Sequence, residues 1–296
     1  MRLLRAITIS VSALGLVAYA GCGGSDVQPE WPDVTTVDVS ADEMGLPEPE
    51  GDSSGEEEAE AEAEPPPPPV RIVAGERTAI EGDSPSIRIT APRNGQRIRR
   101  GNVSLRIQLQ NWDLEAAPGR HVHVIVDNEP YIAVRDVSEP LDLNALVQEN
   151  LGHELAEGSH VVRVFPSRGH HESVKTDGAF ATVTFNNRSA TEGFEFDAAA
   201  PLLTYSRPKG CSTPGSRLLL DFYVANTELA ADGNRVRVTI DDAVAANIST
   251  WAPHWIENLP VQSHTIRLQL VNGEGEPVPG PFNDTQRIIR VANSCD

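Results

Sequence analysis

Residues 121–127 read His-Val-His-Val-Ile-Val-Asp, and residues 235–241 read Arg-Val-Arg-Val-Thr-Ile-Asp. Both stretches carry an aliphatic residue at every second position and then end in an aspartate. This period-two alternation is typical of a β-strand with one buried face, and Asp is typical of the turn that follows a strand. The two stretches therefore predict equivalent strands in two similar parts of the chain.

The similarity extends to both sides of these strands. Residues 104–109, Ser-Leu-Arg-Ile-Gln-Leu, precede the first copy, and residues 217–222, Arg-Leu-Leu-Leu-Asp-Phe, precede the second. Further along come Gly-Ser-His-Val-Val-Arg-Val at 158–164 and Gln-Ser-His-Thr-Ile-Arg-Leu at 262–268. Because the order is the same in both copies, we interpret the pattern as an internal duplication.

We predict an all-β chain with two tandem β-sandwiches, over residues 85–190 and 200–296. Short alternating runs separated by Gly, Pro, Asn and Asp are typical of sandwiches of about 100 residues. The candidate strands cover 86–90, 103–110, 121–126, 131–134, 160–165 and 180–185 in the first domain, and 202–206, 217–224, 235–240, 245–249, 264–271 and 286–291 in the second. One short helix is predicted over 142–151.

A Gly-Ser-His turn that leads into an alternating apolar strand resembles bacterial immunoglobulin-like and fibronectin-like surface domains. The resemblance covers residues 85–294 and implies two tandem immunoglobulin-like sandwiches. The whole arrangement also resembles lipoproteins of myxobacteria and their relatives. That resemblance implies an architecture and brings no enzymatic activity with it.

Residues 1–21 have a basic start, a short apolar run and small residues before Cys22, which resembles the lipobox of bacterial lipoproteins. The apolar run is shorter than the roughly 20 residues that a transmembrane helix needs, so it predicts a removed signal peptide. Lipidation of Cys22 would then anchor the chain to a membrane. Tyr19 stands where the lipobox usually carries an aliphatic residue, so an ordinary signal peptide with a free Cys22 remains the alternative. Gly23 after the cysteine resembles the pattern of lipoproteins sorted to the outer membrane.

Residues 22–84 predict a disordered acidic and Pro-rich linker. Residues 23–70 contain fifteen Asp and Glu and no Lys or Arg, which accounts for most of the net charge of −19. Such a composition buries too little apolar surface to fold, and like charges extend it. We interpret this segment as a stalk, with a plain spacer as the alternative. The domains themselves show no basic patch, so we expect no nucleic-acid partner.

The remaining two cysteines lie near the start and at the end of the second domain. An exported chain sits where disulfides persist, and these two ends of a sandwich can come close. We therefore predict a disulfide between Cys211 and Cys295. The alternatives are two unpaired thiols or an intermolecular bridge.

Six of the eight histidines fall in the first domain. His121 and His123 are two residues apart on a strand, so they point to the same face, and His170 or His171 from a loop could complete a metal site. The equivalent positions of the second domain carry arginine, which favours a solvated polar face instead. We therefore expect no metal and no cofactor, and keep a metal site at His121, His123 and His170 as the alternative.

The loop over 167–175 is long and of mixed charge, and loops on rigid scaffolds tend to carry function. We predict it as the contact with a partner, through Arg168, His170, His171, Glu172 and Lys175. A second candidate surface is the aromatic cluster of Trp251 and Trp255. Exposed rings would suit carbohydrate or peptide stacking, but burial is the more common state of large rings.

The sequence lacks the motifs of common enzymes. There is no Gly-x-Ser-x-Gly elbow, no phosphate-binding loop, no Cys-x-x-Cys and no metalloprotease helix motif. We therefore predict a lipid-anchored cell-envelope protein, at the outer membrane, that is not an enzyme and contacts an envelope protein or glycan through its loops. An envelope metal-binding protein is the alternative, and a hydrolase with an unfamiliar site is a third interpretation.

Overall fold

The computed structural model describes residues 67–188 and 196–295. The signal segment 1–21, Cys22 and most of the predicted stalk lie outside the described residues. Within the described ranges, no helix has the length and apolarity to cross a bilayer.

The described chain is built almost wholly from strands. In chain order they are β1 (Arg71–Ala74), β2 (Ser86–Ala91), β3 (Gln96–Ile98), β4 (Ser104–Gln110), β5 (His121–Val126), β6 (Ile132–Val134), β7 (Leu141–Asp142), β8 (Gly158–Ser167), β9 (Ala181–Asn187), β10 (Leu202–Arg207), β11 (Gly210–Ser212), β12 (Leu218–Ala225), β13 (Arg235–Ile240), β14 (Ala243–Ile248), β15 (His254–Glu257), β16 (Ser263–Val271) and β17 (Asp284–Val291). A single helix, α1 (Leu143–Leu151), follows β7.

The strands form two β-sandwiches with the same topology. The first pairs a β2-β4-β7 sheet with a β3-β9-β8-β5-β6 sheet, and the second pairs a β1-β15-β12-β10 sheet with a β11-β17-β16-β13-β14 sheet. In each copy a short strand runs parallel to the last strand, β3 on β9 and β11 on β17, while the other pairings are antiparallel. This division into a smaller and a larger sheet is that of an immunoglobulin-like sandwich. The all-β prediction is confirmed, and the duplication extends to every paired strand except β1.

Each sandwich has its own apolar core, formed by alternate residues of the facing strands. In the first, Val122, Val124 and Val126 of β5 face the β2-β4-β7 sheet. In the second, Val236 and Val238 occupy the equivalent places. Burying each such side chain contributes about 1.5–3 kcal/mol, so the alternating valines are the residues that hold the layers together.

One strand comes from the segment that we assigned to the linker. Arg71–Ala74 forms β1 and pairs antiparallel with β15 of the second sandwich, where Ile72 packs against the core. The Asn258 side chain also donates a hydrogen bond to the Pro69 carbonyl at 3.0 Å. The physical reason is that β15 would otherwise present an open sheet edge. The chain therefore enters the fold at the second sandwich and only then forms the first.

The aspartate that ends β5 is held in an Asp–His clasp. One carboxylate oxygen of Asp127 lies 2.8 Å from His160 Nδ1, and the other accepts the Val161 amide at 2.8 Å. The second ring nitrogen of His160 donates to the Ala156 carbonyl at 2.9 Å. This clasp joins the end of β5 to the start of β8.

The second sandwich repeats the clasp with its own residues. Asp241 lies 2.6 Å from His264 Nδ1 and accepts the Thr265 amide at 2.8 Å, and His264 Nε2 contacts the Pro260 carbonyl at 2.9 Å. The repeated Asp and Ser-His sequence signals are therefore two halves of one structural device.

The clasp predicts a pH-dependent contribution of His160 to stability. Burial opposes the charged ring, but the hydrogen bond to Asp127 and its negative charge raise the pKa of His160 above its usual value. A pKa that is higher in the folded state stabilises the protein fully at pH values below the unfolded-state pKa of about 6.5. This stabilisation is lost as the pH rises through the folded-state pKa. We expect His160→Gln to lower the free energy of unfolding more at pH 5.5 than at pH 8.5 in urea titrations.

The half-exposed His153 provides the matched control for this measurement. His153→Gln should change the free energy of unfolding by less than about 0.5 kcal/mol at either pH, as is usual for surface substitutions. An equal loss for His160→Gln at both pH values would contradict the clasp.

The predicted disulfide is present. Cys211 and Cys295 are bonded, with their Cα atoms 5.5 Å apart and a sequence separation of 84 residues. The bond joins β11 to the segment after β17, so it ties the two ends of the second sandwich together.

Candidate functional site at the junction of the two sandwiches

The two sandwiches meet sheet against sheet. The outer face of β5 and β8 in the first sandwich packs on the outer face of β10 and β12 in the second. Ile125 and Phe165 form a buried cluster with Tyr223, and Val161 packs with Leu202. We name this interface the junction.

A buried arginine crosses the junction. Arg163 is fully buried, donates to Thr204 Oγ1 at 3.0 Å and to the Asp127 carbonyl, and lies 4.0 Å above the centre of the Phe282 ring. Burial and the nearby Arg287 charge lower its pKa to about 9. The hydrogen bonds and the aromatic face compensate part of the cost of removing this cation from water.

A buried ion pair also crosses the junction. Lys175 donates to the Asp221 carboxylate, and the two side chains are 1% and 0% exposed. Lys175 further donates to Ser173 Oγ at 2.7 Å, and the Ser173 amide donates to the other Asp221 oxygen at 3.1 Å. Both charges are therefore paired and hydrogen-bonded, which is the condition under which buried charges are tolerated.

The loop over 167–175 reaches the segment before β2 as well. Buried Glu172 accepts the amide of Thr78 at 3.0 Å and lies 2.9 Å from His170 Nε2, while Arg168 donates to the Thr78 carbonyl at 2.6 Å. Burial opposes the charged carboxylate, but the hydrogen bonds from His170 and Thr78 lower the pKa of Glu172 to about 2.

These contacts correct the prediction for this loop. We expected Arg168, His170, His171, Glu172 and Lys175 to contact a partner, but Glu172 and Lys175 are buried against this same chain. Among the five, the His170 side chain is the most open, at 51% exposed. Lys175 crosses the junction to Asp221, whereas Arg168 and Glu172 bind the segment before β2.

Three histidines converge at one end of the junction. His123 Nε2 lies 3.0 Å from His121 Nε2, and His171 Nδ1 lies 3.0 Å from the same His121 atom. One ring nitrogen of each of the three lies within 4.8 Å of the others. We name this group the histidine cluster.

Neighbouring groups orient the rings of the cluster. His121 Nδ1 lies 2.9 Å from the Gly119 carbonyl, so it carries the proton and leaves Nε2 with a free lone pair. His123 Nδ1 lies 3.2 Å from Ser206 Oγ of the second sandwich, and the Tyr131 ring stacks on His123 at 3.6 Å.

The histidine cluster is electrically neutral at ordinary pH. Burial lowers the pKa of all three rings, and the positive charges of Arg207 and Lys209 add to this effect. The pKa of His171 falls to about 3. The three rings therefore keep their lone pairs instead of repelling one another as cations.

The structure overturns the solvated-face interpretation of His121 and His123, which are both 0% exposed. The reason is that the second sandwich covers this sheet face, whereas Arg235 and Arg237 of the duplicate strand remain half-buried. His121 and His123 lie together, as the metal-site alternative requires, and His171 is the loop histidine that joins them. His170 lies against Glu172 instead.

An aromatic cleft lies beside the junction. It has a volume of about 570 Å³. Its apolar wall contains Phe180, Tyr223 and Trp251, and its polar lining includes Arg77, Thr176, Asp177, Asn226, Thr227 and Glu228. The cleft thus combines residues of both sandwiches and of the segment after β1.

The rings of this cleft are fixed by mutual packing. Tyr223 stacks on Phe180 with ring centres 4.9 Å apart and meets Trp251 edge-on at 4.8 Å. Tyr223 also donates to the Thr176 carbonyl at 3.1 Å, and the Arg77 guanidinium lies 5.2 Å above the Trp251 ring. The apolar surface is therefore preformed, and Trp251 is half-buried, between the buried and exposed alternatives that the sequence left open.

No family model and no curated protein sequence matches the chain. Among solved structures, it is similar to the fibronectin(III)-like modules of Clostridium thermocellum CbhA, at 11% identity over 70% of this chain and 94% of that chain, with a TM-score of 0.25. It is also similar to Bacteroides ovatus SGBP-B in complex with a mixed-linkage heptasaccharide, at 12% identity over 72% and 71% of the two chains, with a TM-score of 0.22. A two-domain fibronectin type-III segment of chicken tenascin matches at 10% identity over 71% and 100%, with a TM-score of 0.20. The sandwich assignment itself rests on the strand order given above.

Proposed function

We propose that the chain is a lipid-anchored protein of the bacterial outer membrane that binds an envelope glycan in the aromatic cleft without catalysing a reaction. Cys22 carries the anchor, the acidic segment spaces the fold from the bilayer, and the two sandwiches act as one binding module. The observation that carries the proposal is the preformed aromatic wall with polar groups around it.

The chemistry of the cleft suits a sugar better than a purely apolar ligand. The half-buried rings of Phe180 and Trp251 can contact the C–H groups of a pyranose, while side chains such as Asp177 and Glu228 can accept hydrogen bonds from its hydroxyls. A volume of about 570 Å³ also falls within the usual range of small-ligand sites, about 300–1,000 Å³.

The anchor and the stalk give this binding module its location. Several acyl chains on Cys22 would anchor firmly, because each buried methylene contributes about 0.8 kcal/mol. Since the chain enters the fold through β1, the tether joins the module at the second sandwich.

A glycan array probed with the purified protein tests the proposed ligand. We expect binding to an envelope glycan that weakens at least tenfold in Trp251→Ala and in the exposed-site variant Asp177→Ala. Trp255→Ala is the matched control, because Trp255 lies in the same sandwich outside the cleft. Melting temperatures verify that the variants fold.

Binding that is unchanged in both cleft variants would contradict the glycan proposal, as would the absence of binding to every glycan tested. Capture of a protein ligand at the cleft would replace the glycan with a different class of partner.

Substitution of Cys22 tests the anchor separately. In the native host we expect the wild-type chain in the membrane fraction with an acylated N-terminus, and Cys22→Ser in the soluble fraction without the added mass. Fractionation and mass spectrometry of the mature protein provide both readouts. Membrane retention and an unmodified N-terminus in both forms would rule out a lipid anchor on Cys22.

A further inference from the structure

The histidine cluster cannot satisfy its own hydrogen bonding. An uncharged imidazole has one in-plane lone pair, and the Gly119 contact assigns that of His121 to Nε2. Two further ring nitrogens, from His123 and His171, both lie 3.0 Å from this one atom. A single lone pair accepts one good hydrogen bond, so one of the two nitrogens is left without a good partner within the cluster.

A bound cation removes this mismatch. If His123 donates its Nδ1 proton to Ser206 and His171 carries its proton on Nε2, then His121 and His123 present Nε2 and His171 presents Nδ1, all as lone pairs. No proton has to leave the three neutral rings for this to happen. The contacts of His121 with Gly119 and of His123 with Ser206 are the outer-shell hydrogen bonds that metal-ligating histidines normally make.

The distances are close to those of a coordinated ion. Imidazole nitrogens bound at about 2.0–2.1 Å in a tetrahedral site lie about 3.3 Å from each other. Two of the nitrogen pairs in the cluster lie at 3.0 Å, and the ligand atoms all lie within 4.8 Å of one another. His171 belongs to a loop, so the longest separation is the one that a small loop movement can shorten.

We propose that His121, His123 and His171 bind one transition-metal ion, of the imidazole-preferring kind represented by zinc and copper. Three imidazoles without a carboxylate suit these ions and not Mg²⁺ or Ca²⁺, which prefer oxygen ligands. All three ligands come from the first sandwich, and the second sandwich closes over them through Ser206 and stabilises the ring of His123.

Metal titration of the full chain tests this site. The chain carries Cys22→Ser and no histidine tag, so that no free thiol or tag competes, and is stripped with a chelator. Equilibrium dialysis then uses Zn²⁺ in one arm and Cu⁺, kept reduced by ascorbate, in the other. We expect one ion per chain in at least one arm, and a melting temperature that rises with metal.

Two variants separate coordination from folding. His171 has a positive φ of 70°, which asparagine tolerates, so His171→Asn should fold while its affinity for the ion falls at least tenfold. His121→Gln, which removes a ligand on the buried strand β5, should lower the affinity for the ion by the same factor. His153→Asn is the matched control, because His153 is exposed and outside the cluster, and it should bind like the wild type.

The proposal would be overturned if the wild-type chain binds neither ion at one per chain. It would also be overturned if His171→Asn, verified as folded by its melting temperature without metal, binds the ion as tightly as the wild type. Neither outcome would bear on the glycan cleft, whose variants leave the cluster unchanged.

Discussion

Replacing Asp221 with alanine should lower the free energy of unfolding by about 3–5 kcal/mol, because it leaves a buried ammonium without its counter-charge. Lys175 is 1% exposed and would keep only its two contacts with Ser173. Urea unfolding followed by far-UV circular dichroism measures the loss. A loss of this size from one side chain would identify the junction as a main source of stability.

A double substitution distinguishes an unpaired charge from a general loss of packing. Lys175→Met with Asp221→Leu removes both charges and should recover most of the stability lost in Asp221→Ala. Arg267→Ala, which breaks an ion pair with both side chains 43% exposed, should cost less than about 1 kcal/mol. If Asp221→Ala costs no more than Arg267→Ala, the pair is not buried as described.

Removing the disulfide with Cys211→Ser and Cys295→Ser should lower stability by about 4 kcal/mol, because a loop of 84 residues is no longer closed in the unfolded chain. The bond joins β11 to the segment after β17 of the second sandwich, so the unfolding of this sandwich should shift to lower urea concentration. The wild-type protein in reductant should show the same shift.

Cys22→Ser is the matched control for this experiment, since it removes a cysteine that is not part of the bond. Its urea midpoint should equal that of the wild type without reductant, and should shift by the same amount as the wild type in reductant. A disulfide variant that unfolds within about 1 kcal/mol of the wild type would mean that the bond adds little to the fold.

The duplicated strands could be predicted from the sequence because both alternation and order repeat. The Val-rich strands at 121–126 and 235–240 occur with the predicted bounds, and the helix predicted over 142–151 occurs as Leu143–Leu151. Its start follows local chemistry, since the Asp142 carboxylate caps the amide of Asn144 at 3.0 Å.

Three of the four shortest strands were not predicted in this way, although Ile132–Val134 was. Gln96–Ile98, Leu141–Asp142 and Gly210–Ser212 have two or three residues each, which is too few to show a period. They form strands because the edge of a neighbouring strand is available for pairing. Arg71–Ala74 forms a strand on the edge of β15 for the same reason. Such pairing is a tertiary effect, and the local sequence does not contain it.

The sequence contains a signal of the junction, namely charged residues within apolar strands, which the alternating pattern alone does not explain. Asp221 interrupts an apolar run at 218–224, and Arg163 interrupts another at 161–165. A charge within a strand that is apolar on both faces indicates a second covered face with a partner for the charge. The equivalents of these two strands in the other copy, β4 and β16, instead alternate apolar residues with polar ones that are mostly exposed or half-buried.

Only part of the candidate site could be predicted from the sequence. Strand spacing places His121 and His123 on one face, but the choice of His171 over His170 depends on the turn of a loop with positive φ at His171. The aromatic cleft joins Phe180 and Tyr223 from different sandwiches, so it depends on how the two domains pack. Contacts of that kind follow from the assembled fold and not from a motif.

The two sandwiches form one body through a closed junction. Spin labels at Arg106→Cys in the first sandwich and Val244→Cys in the second, in a Cys22→Ser chain, allow the distance between exposed sites to be measured by pulsed electron paramagnetic resonance. We predict one narrow distance distribution. A broad distribution, or several distances, would show domains that move independently and would contradict the account.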